Sequence, residues 1–417
     1  VLVITRRNAL KLGALTTGGL ALSSLSIARA TGDGTRLVVV FASGGWDTTT
    51  LFDPKPDSND VDTADGDWAS YGALDLWRTD GTPAAHDFFT RWGSMAAVVN
   101  GIATESLVHE ECGKRVLTGS NRGGAPDIAA LVAAAHGGDC PLPYLVRGAS
   151  ARTGTVEALS GQLGWTNQLS AVAVPDLHYP AVGSTEANPG FQPRPDEDVA
   201  VRAYLEASAA RLSGRAASIP DSERLADYLE SLDRSHAIRD AAQTGFLSDI
   251  DLVQNIEEPW PHTVAALAEG FSQCVFIEDD GYWDTHFQNA DQVGLHNTLF
   301  GGLDTLMRGL EDEGLLDETV VLVLSEMGRT PVLNAGQGKD HWPFTSALVL
   351  GTDVRSGVVQ GTDGDLRPTA VDLSTGRPGA GGRLLHTSDV LATVAELTGL
   401  DAATAYPQGE VIDALLG

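Results

Sequence analysis

This sequence predicts an α/β fold with a mainly parallel central sheet and helices on both of its faces, on three observations. Six short runs are rich in β-branched and aliphatic residues without strict alternation, as strands buried on two faces are. Helical patterns lie between several of these runs, and alternating β and α units favour a parallel sheet. The chain has 417 residues and 42% hydrophobic content, enough for a sheet of that kind to be covered on both sides.

The first run, "RLVVVFASGGWD", starts at Arg36 and ends in glycines, and it supplies a central strand. "AAVVNGI" (96–102), "PYLVRG" (143–148), "QCVFIE" (273–278), "TVVLVLSE" (319–326) and "TSALVLG" (345–351) have the same character. In "APDIAALVAAAHGG", Pro126 is placed to open a helix and Gly137 to close it. Residues 195–245 are charged and helix-periodic and read as a helical insertion. From "GLHNTLFGGLDTLMRGLEDEG" a long amphipathic helix is expected, stopped at Gly314. The segment 352–382 reads as loop or hairpin, and "HTSDVLATVAELTGL" as a capped amphipathic helix. No repeat or linker divides residues 31–417.

Residues 1–30 are set apart from the fold. "TRRNALK" precedes the mildly apolar run "LGALTTGGLALSSLSI" and then "ARA", which reads as a twin-arginine export signal with Arg6 and Arg7 at its charged start and Ala28 and Ala30 at a small-residue cleavage site. The expected destination is the periplasm or the extracellular space. No later stretch has about 18 consecutive apolar residues, so no further membrane span is expected. Cys112, Cys140 and Cys274 are far apart and lack C-x-x-C spacing, which indicates neither a disulfide framework nor a thiolate zinc site. Removing Arg6, Arg7, Lys11 and Arg29 with the signal takes the formal charge from −29 to −33. Such a surface repels nucleic acid and anionic lipid.

Ligands in open α/β sheets bind beyond the carboxyl ends of the strands. Asp47 follows "VVVFASGGW", Asp284 and His286 follow "CVFIEDDGYW", and Glu326 follows "VVLVLS". Asp340 and His341, in "GKDHWP", lie between the last two strands. Carboxylates gathered at one crevice repel by about 4 kcal/mol per close pair at an effective dielectric near 20, and a divalent cation relieves that. Two imidazoles with two or three carboxylates suit zinc or manganese, whereas an oxygen-rich set suits calcium or magnesium. The alternative is that these acids cap turns and the histidines bond to backbone.

Four motifs in this order, "GGWD", "GYWDTHFQ", "SEMGRTP" and "GKDHWP", resemble the exported bacterial family known as domain of unknown function 1501. "SEMGRTP" after its buried strand also resembles the "SDHG" turn of the alkaline phosphatase and sulfatase superfamily, and "HTSDVLATVAELTGL" is similar to that superfamily's terminal helix. The resemblance implies an alkaline-phosphatase-like three-layer sandwich. It further implies metal ligands at Asp47, Asp284, His286, Glu326 and His341, and a divalent metal such as zinc, manganese or calcium.

Two positions depart from the superfamily pattern. Met327 stands where a second-metal histidine would follow the acid, and a thioether is a poor ligand for such cations. Counting back along "HEECGKRVLTG" puts His109 at the nucleophile position, and "CGKRV" around Cys112 lacks the pattern of a sulfatase's modified cysteine. Three roles are open to His109: metal ligand, nucleophile, or structural residue. Arg329 either meets an anionic substrate group with its planar fork or fixes its loop by a salt bridge. With Asp340, these two complete the candidate catalytic set. The implied activity is metal-dependent hydrolysis of a phosphate or sulfate ester, small or carried on a glycan, by direct attack of activated water. The rival expectation is a non-catalytic exported binding protein on the same scaffold.

Overall fold

The computed structural model describes residues 34–154, 159–163, 195–213, 259–379 and 381–417, with a few positions between 234 and 241. The expected signal at 1–30 lies outside them, as does most of the expected insertion beyond Ser213. Among the described residues no helix is long and apolar enough to cross a membrane.

In chain order the strands among the described residues are β1 (Arg36–Ala42), β2 (Asp67–Tyr71), β3 (Leu74–Arg78), β4 (Ala96–Ala103), β5 (Tyr144–Arg147), β6 (Ser160–Leu163), β7 (Cys274–Asp279), β8 (Thr319–Leu324), β9 (Gly328–Arg329), β10 (His341–Trp342), β11 (Phe344–Leu350), β12 (Gly357–Gln360), β13 (Val371–Asp372) and β14 (Arg377–Pro378). Eight of them form one sheet in the order β12-β4-β11-β8-β1-β7-β5-β6. β11 alone runs against its neighbours β4 and β8, and the other pairings are parallel. All six runs picked out in the sequence are strands of this sheet. Its two edge strands, β6 and β12, and the β2–β3 hairpin were not anticipated.

The alternation along β1 explains the three layers. Val38 and Val40 face one core, while Leu37, Val39 and Phe41 face the other. The first core is covered by α1 (Pro83–Trp92), α5 (Pro259–Ala268) and α6 (Asp291–Asp312), through Phe88, Phe89, Leu267, Leu299, Phe300 and Leu303. The second is covered by α2 (His109–Thr118), α3 (Ile128–His136) and α7 (Thr387–Leu397), through Val116, Leu117, Val132, Leu391 and Val394. Each such side chain, taken from water, contributes roughly 1.5–3 kcal/mol. The fold is thus the three-layer α/β sandwich with a mainly parallel central sheet that the sequence predicted.

Local chemistry sets the helix ends. Asp127 caps α3 by accepting from the Ala130 amide at 2.8 Å, and Gly137 closes it, so Pro126 precedes the cap and does not open the first turn. Asp389 accepts from the His386 amide at 2.8 Å to open α7. Gly314, with φ of +67°, follows the end of α6. Within the expected insertion, α4 (Pro195–Ser213) is helical as the pattern required.

One buried group stands out in the first core. His296 of α6 is ringed by Trp283, Phe52, Trp46 and Phe300, with centroids 5.0, 5.8, 5.9 and 6.5 Å away. Neither ring nitrogen makes a hydrogen bond of full geometry, and only the backbone at Asp47 acts weakly on the ring. Burial pushes its pKa down to about 4, against a smaller upward pull from the negative charge of nearby Asp47. An unfolded chain protonates this imidazole near its usual 6.5. The folded state therefore loses stability as pH falls through that value, and the loss is complete only below the folded pKa. A change of that size corresponds to about 3 kcal/mol. Chemical denaturation of His296→Leu should show a flatter dependence than the parent between those two pH values, and an unchanged slope would contradict the assignment.

Candidate metal centre

The parallel strands bring the loops after β1, β4, β7 and β8 to one edge of the sheet. Because β11 is antiparallel, its beginning lies at the same edge, which is how His341, three residues before Phe344, reaches it. The close approach of these loops needs glycine. Gly44 and Gly45 have φ of +128° and +89°, and a Cβ on them would come within 2.6 Å of the Asp284 amide nitrogen and 2.8 Å of Met327 Cγ. The "GGWD" motif is therefore a packing requirement between the first loop and the two that carry the acids.

Four side chains meet above this edge. Nε2 of His286 lies 2.9 Å from Nε2 of His341 and 3.2 Å from Asp284 Oδ1. His341 Nε2 is 3.3 Å from the same oxygen, and His109 Nε2 is 3.5 Å from Asp284 Oδ2. The His109 and His341 rings meet edge to face with centroids 4.4 Å apart. His109, Asp284 and His341 offer ligand atoms within 4.8 Å of one another.

Each imidazole is oriented from behind. Nδ1 of His109 is 2.7 Å from Glu326 Oε1, Nδ1 of His286 is 2.8 Å from Asp340 Oδ1, and Nδ1 of His341 is 2.7 Å from the Leu107 carbonyl. All three acceptors require an Nδ1–H in the neutral ring, which leaves the Nε2 lone pairs turned toward Asp284. This carboxylate- or carbonyl-backed histidine is the usual arrangement around a bound cation.

Protonation follows the same contacts. The hydrogen bond that Glu326 accepts raises the His109 pKa, with burial opposing it and the charges of Glu326 and Asp284 adding to the rise. Burial would raise the Asp284 pKa, but the hydrogen bond and charge of Arg329 outweigh it and hold the carboxyl low. The hydrogen bond to His286 likewise lowers Asp340.

The remaining expected residues stand around this cluster in other roles. Glu326 is buried and faces away from the Nε2 atoms; besides His109 it accepts from the Gly44 amide at 2.8 Å and from Ser325 Oγ at 3.1 Å. Asp47 holds Lys339 at 2.9 Å, accepts from the Thr49 amide and hydroxyl and from Asn289, and caps a short turn. Burial would raise its pKa, and Lys339 brings it below the ordinary value. An ammonium thus balances Asp47, where the sequence suggested a shared cation. Met327 is wholly buried against the glycine loop.

Arg329 is also wholly buried, so it presents no fork to a ligand. It donates to the carbonyls of Gly45 at 2.8 Å, Lys339 at 3.1 Å, Trp283 at 3.2 Å and Gly44, and to Asp284 Oδ1 at 2.6 Å. Of its two sequence readings, the loop-fixing one is what the geometry shows. Cys112 is turned into the core, its Sγ 3.7 Å from Thr104 Oγ1, and burial raises its pKa. A cavity of about 470 Å³ is lined by Asp47, Asp62, Asn289, Asp291, Gln337 and Lys339 among others, and no imidazole of the cluster lines it.

Sequence reasoning did not single out Lys339, although one of only four lysines in an acid-rich chain, beside Asp340, was a visible signal. It also missed Gln292, which accepts from the Asp47 amide at 2.9 Å and donates to the Trp283 carbonyl at 2.9 Å. The Arg329 contacts make a stability prediction. Arg329→Met strands four carbonyls and one carboxylate, and loss of a buried charge partner costs about 3–5 kcal/mol. Urea denaturation should register that loss, while a loss under about 1 kcal/mol would show that the loops hold without it.

No curated protein matches the chain. Among solved structures, one from Bacteroides thetaiotaomicron described under the metabolism of glycosaminoglycans is 13% identical, with TM-score 0.38, over 91% of this chain and 75% of that one. An alkaline phosphatase superfamily protein from Vibrio parahaemolyticus is 10% identical, with TM-score 0.33, over 88% and 67%. The alkaline phosphatase of the Antarctic bacterium TAB5 is 12% identical, with TM-score 0.31, over 78% and 94%. At these scores the likenesses carry no argument about chemistry. The family model is different in kind, since it matches residues 34–257 and 263–413, nearly the whole fold. The chain belongs to the protein family of unknown function DUF1501.

Proposed function

We propose that this protein is an exported, metal-dependent hydrolase of phosphate or sulfate esters, and that His109, Asp284, His286 and His341 hold one divalent cation. The observation that carries the reading is the convergence of three Nε2 atoms on one carboxylate, each ring fixed through its Nδ1. Ligand atoms around a tetrahedral cation at about 2.0–2.1 Å stand about 3.3 Å apart. The separations of 3.2, 3.3 and 3.5 Å to Asp284 lie near that spacing, the His286–His341 separation of 2.9 Å is shorter, and His109, Asp284 and His341 are the three whose ligand atoms lie mutually within 4.8 Å. Three imidazoles and one carboxylate suit zinc or manganese, whereas calcium takes six to eight oxygens and does not fit.

A cation bound there would polarise the ester and make water a nucleophile near neutral pH. The chain's own groups do the rest. Glu326, Asp340 and the Leu107 carbonyl aim the imidazoles, and Arg329 holds Asp284 ionised. Asp340 is more than half exposed and uses Oδ1 for His286 and Asn334, so it stands behind the imidazole as an orienting group. Its lowered pKa keeps it ionised. Hydrogen-bond partners of the four ligands include no side-chain hydroxyl or thiol among the described residues, which favours direct attack by water over a covalent intermediate. The buried state of Arg329 and Lys339 is the observation that favours the second reading, a binding protein without turnover.

Purified protein freed of metal and then given zinc should take up one equivalent by calorimetry. Uptake should weaken as pH falls through the imidazole range, because the raised His109 pKa makes the proton a competitor. His341→Ala should weaken uptake by about 10–100-fold or more. Asp284→Asn should abolish turnover of aryl phosphate or sulfate esters, while Cys112→Ala leaves it nearly intact. Zinc uptake without turnover of any ester selects the binding-protein reading, and no uptake removes the metal-dependent hydrolase.

For localisation, the support is the sequence at Arg6 and Arg7. Replacing both by lysine should leave the precursor in the cytoplasm when fractions are probed by immunoblot. Unchanged export would refute the twin-arginine route.

A further inference from the structure

The loops that present the four ligands also expose an apolar rim. Phe287 follows His286 and is 75% exposed, with its ring set against Gly336; Tyr282, two residues before Asp284, is 76% exposed. Leu107, whose carbonyl fixes His341, is 50% exposed, and Val108, which precedes His109 at the start of α2, is 59% exposed. These four present mainly apolar surface, and each lies within two residues of a ligand or supplies the carbonyl behind one.

Charge supplies the second constraint. Asp284, Glu326 and Asp340 carry three negative charges within the cluster, and Arg329 returns one positive charge from beneath. The difference of two is what a single divalent cation neutralises. Lys339 is committed to Asp47, Thr49 and the Asp62 carbonyl and is wholly buried. Neither basic group on these loops is thus free to meet a second negative charge on a ligand. In a protein of net charge −29, that second charge is unfavourable at close range.

We propose that the site selects a monoanionic ester bearing an apolar arm over a dianionic monoester, with Phe287, Leu107 and Val108 forming the surface that receives the arm. The inference rests on the metal-site reading above. A phosphodiester and a sulfate monoester share this chemistry: each has a single negative charge next to the scissile bond and a substituent that reaches the rim. Phe287 is the specificity determinant with the largest apolar area, and its exposure makes it replaceable without loss of the fold.

The test is binding of inert analogues to zinc-loaded protein in alkaline buffer, read by calorimetry after zinc uptake has itself been measured. Methyl phenylphosphonate represents the phosphodiester, benzenesulfonate the sulfate ester, phenylphosphonate the dianion, and methanesulfonate the monoanion without a ring. At least one ring-bearing monoanion should bind about tenfold or more tightly than phenylphosphonate, and the tighter of the two identifies the source. Phe287→Ala should weaken that ligand by about fivefold or more and leave methanesulfonate unchanged. Equal or tighter binding of phenylphosphonate overturns the charge selection, and an unaltered affinity in Phe287→Ala overturns the rim. If zinc is not taken up, the metal-site reading fails and takes this inference with it; zinc uptake with the dianion preferred refutes this inference alone.

Discussion

The candidate centre depends on one buried cation. The Arg329 guanidinium gathers carbonyls from the loop after β1, the loop after β7 and the residue before Asp340, and it holds Asp284 in place by the same fork. Three chain segments that share no sequence neighbourhood are thereby fixed against one another. A lysine in that position would reach fewer of them, because a single ammonium lacks the planar spread of donors. The guanidinium also sets the charge state of the one carboxylate that all three imidazoles approach, so loop geometry and ligand chemistry have a common origin.

The direction of β11 is the second determinant. Seven strands of the sheet run one way and deliver their following loops to a single edge, while β11 runs the other way and delivers the residues that precede it. His341 consequently sits opposite His109 and His286 without any long crossing connection. Behind the rings, a buried glutamate, an exposed aspartate and a backbone carbonyl play one role by different means. What they share is an acceptor facing Nδ1, and that fixes the tautomer in each case.

The sheet was legible because its six central runs are buried on both faces and so are written as unbroken β-branched and aliphatic sequence. β6 and β12 escaped because an edge strand of four residues, such as "SGQL" or "GVVQ", carries no such run. At the centre, the gathering of Asp284, His286 and His341 at one edge was readable because the loops that follow and precede strands in this architecture meet there. Asp47 and Glu326 were read as ligands from the same rule, but strand-end placement does not encode where a carboxylate points. Asp47 turns to Lys339 and Glu326 turns to His109 and Gly44, and these are partners more than 200 residues away in sequence. For Arg329 the sequence showed a fork near an acid; only the packed loops show that carbonyls consume it.

The spread of the cluster along the chain bears on how a cation would be acquired under the proposed reading. His109 and Glu326 are 217 residues apart, and His286 and His341 are 55 apart. Closing loops of that length carries an entropic cost that local contacts do not offset before the strands between them have paired. An extended or partly folded chain therefore offers isolated histidines and no chelate, so the ion cannot template assembly in the way a short zinc finger's ion does. Under the metal-site proposal, loading would be a late event, and the fraction of chains that retain zinc through dialysis would count molecules whose sheet has closed from one edge to the other.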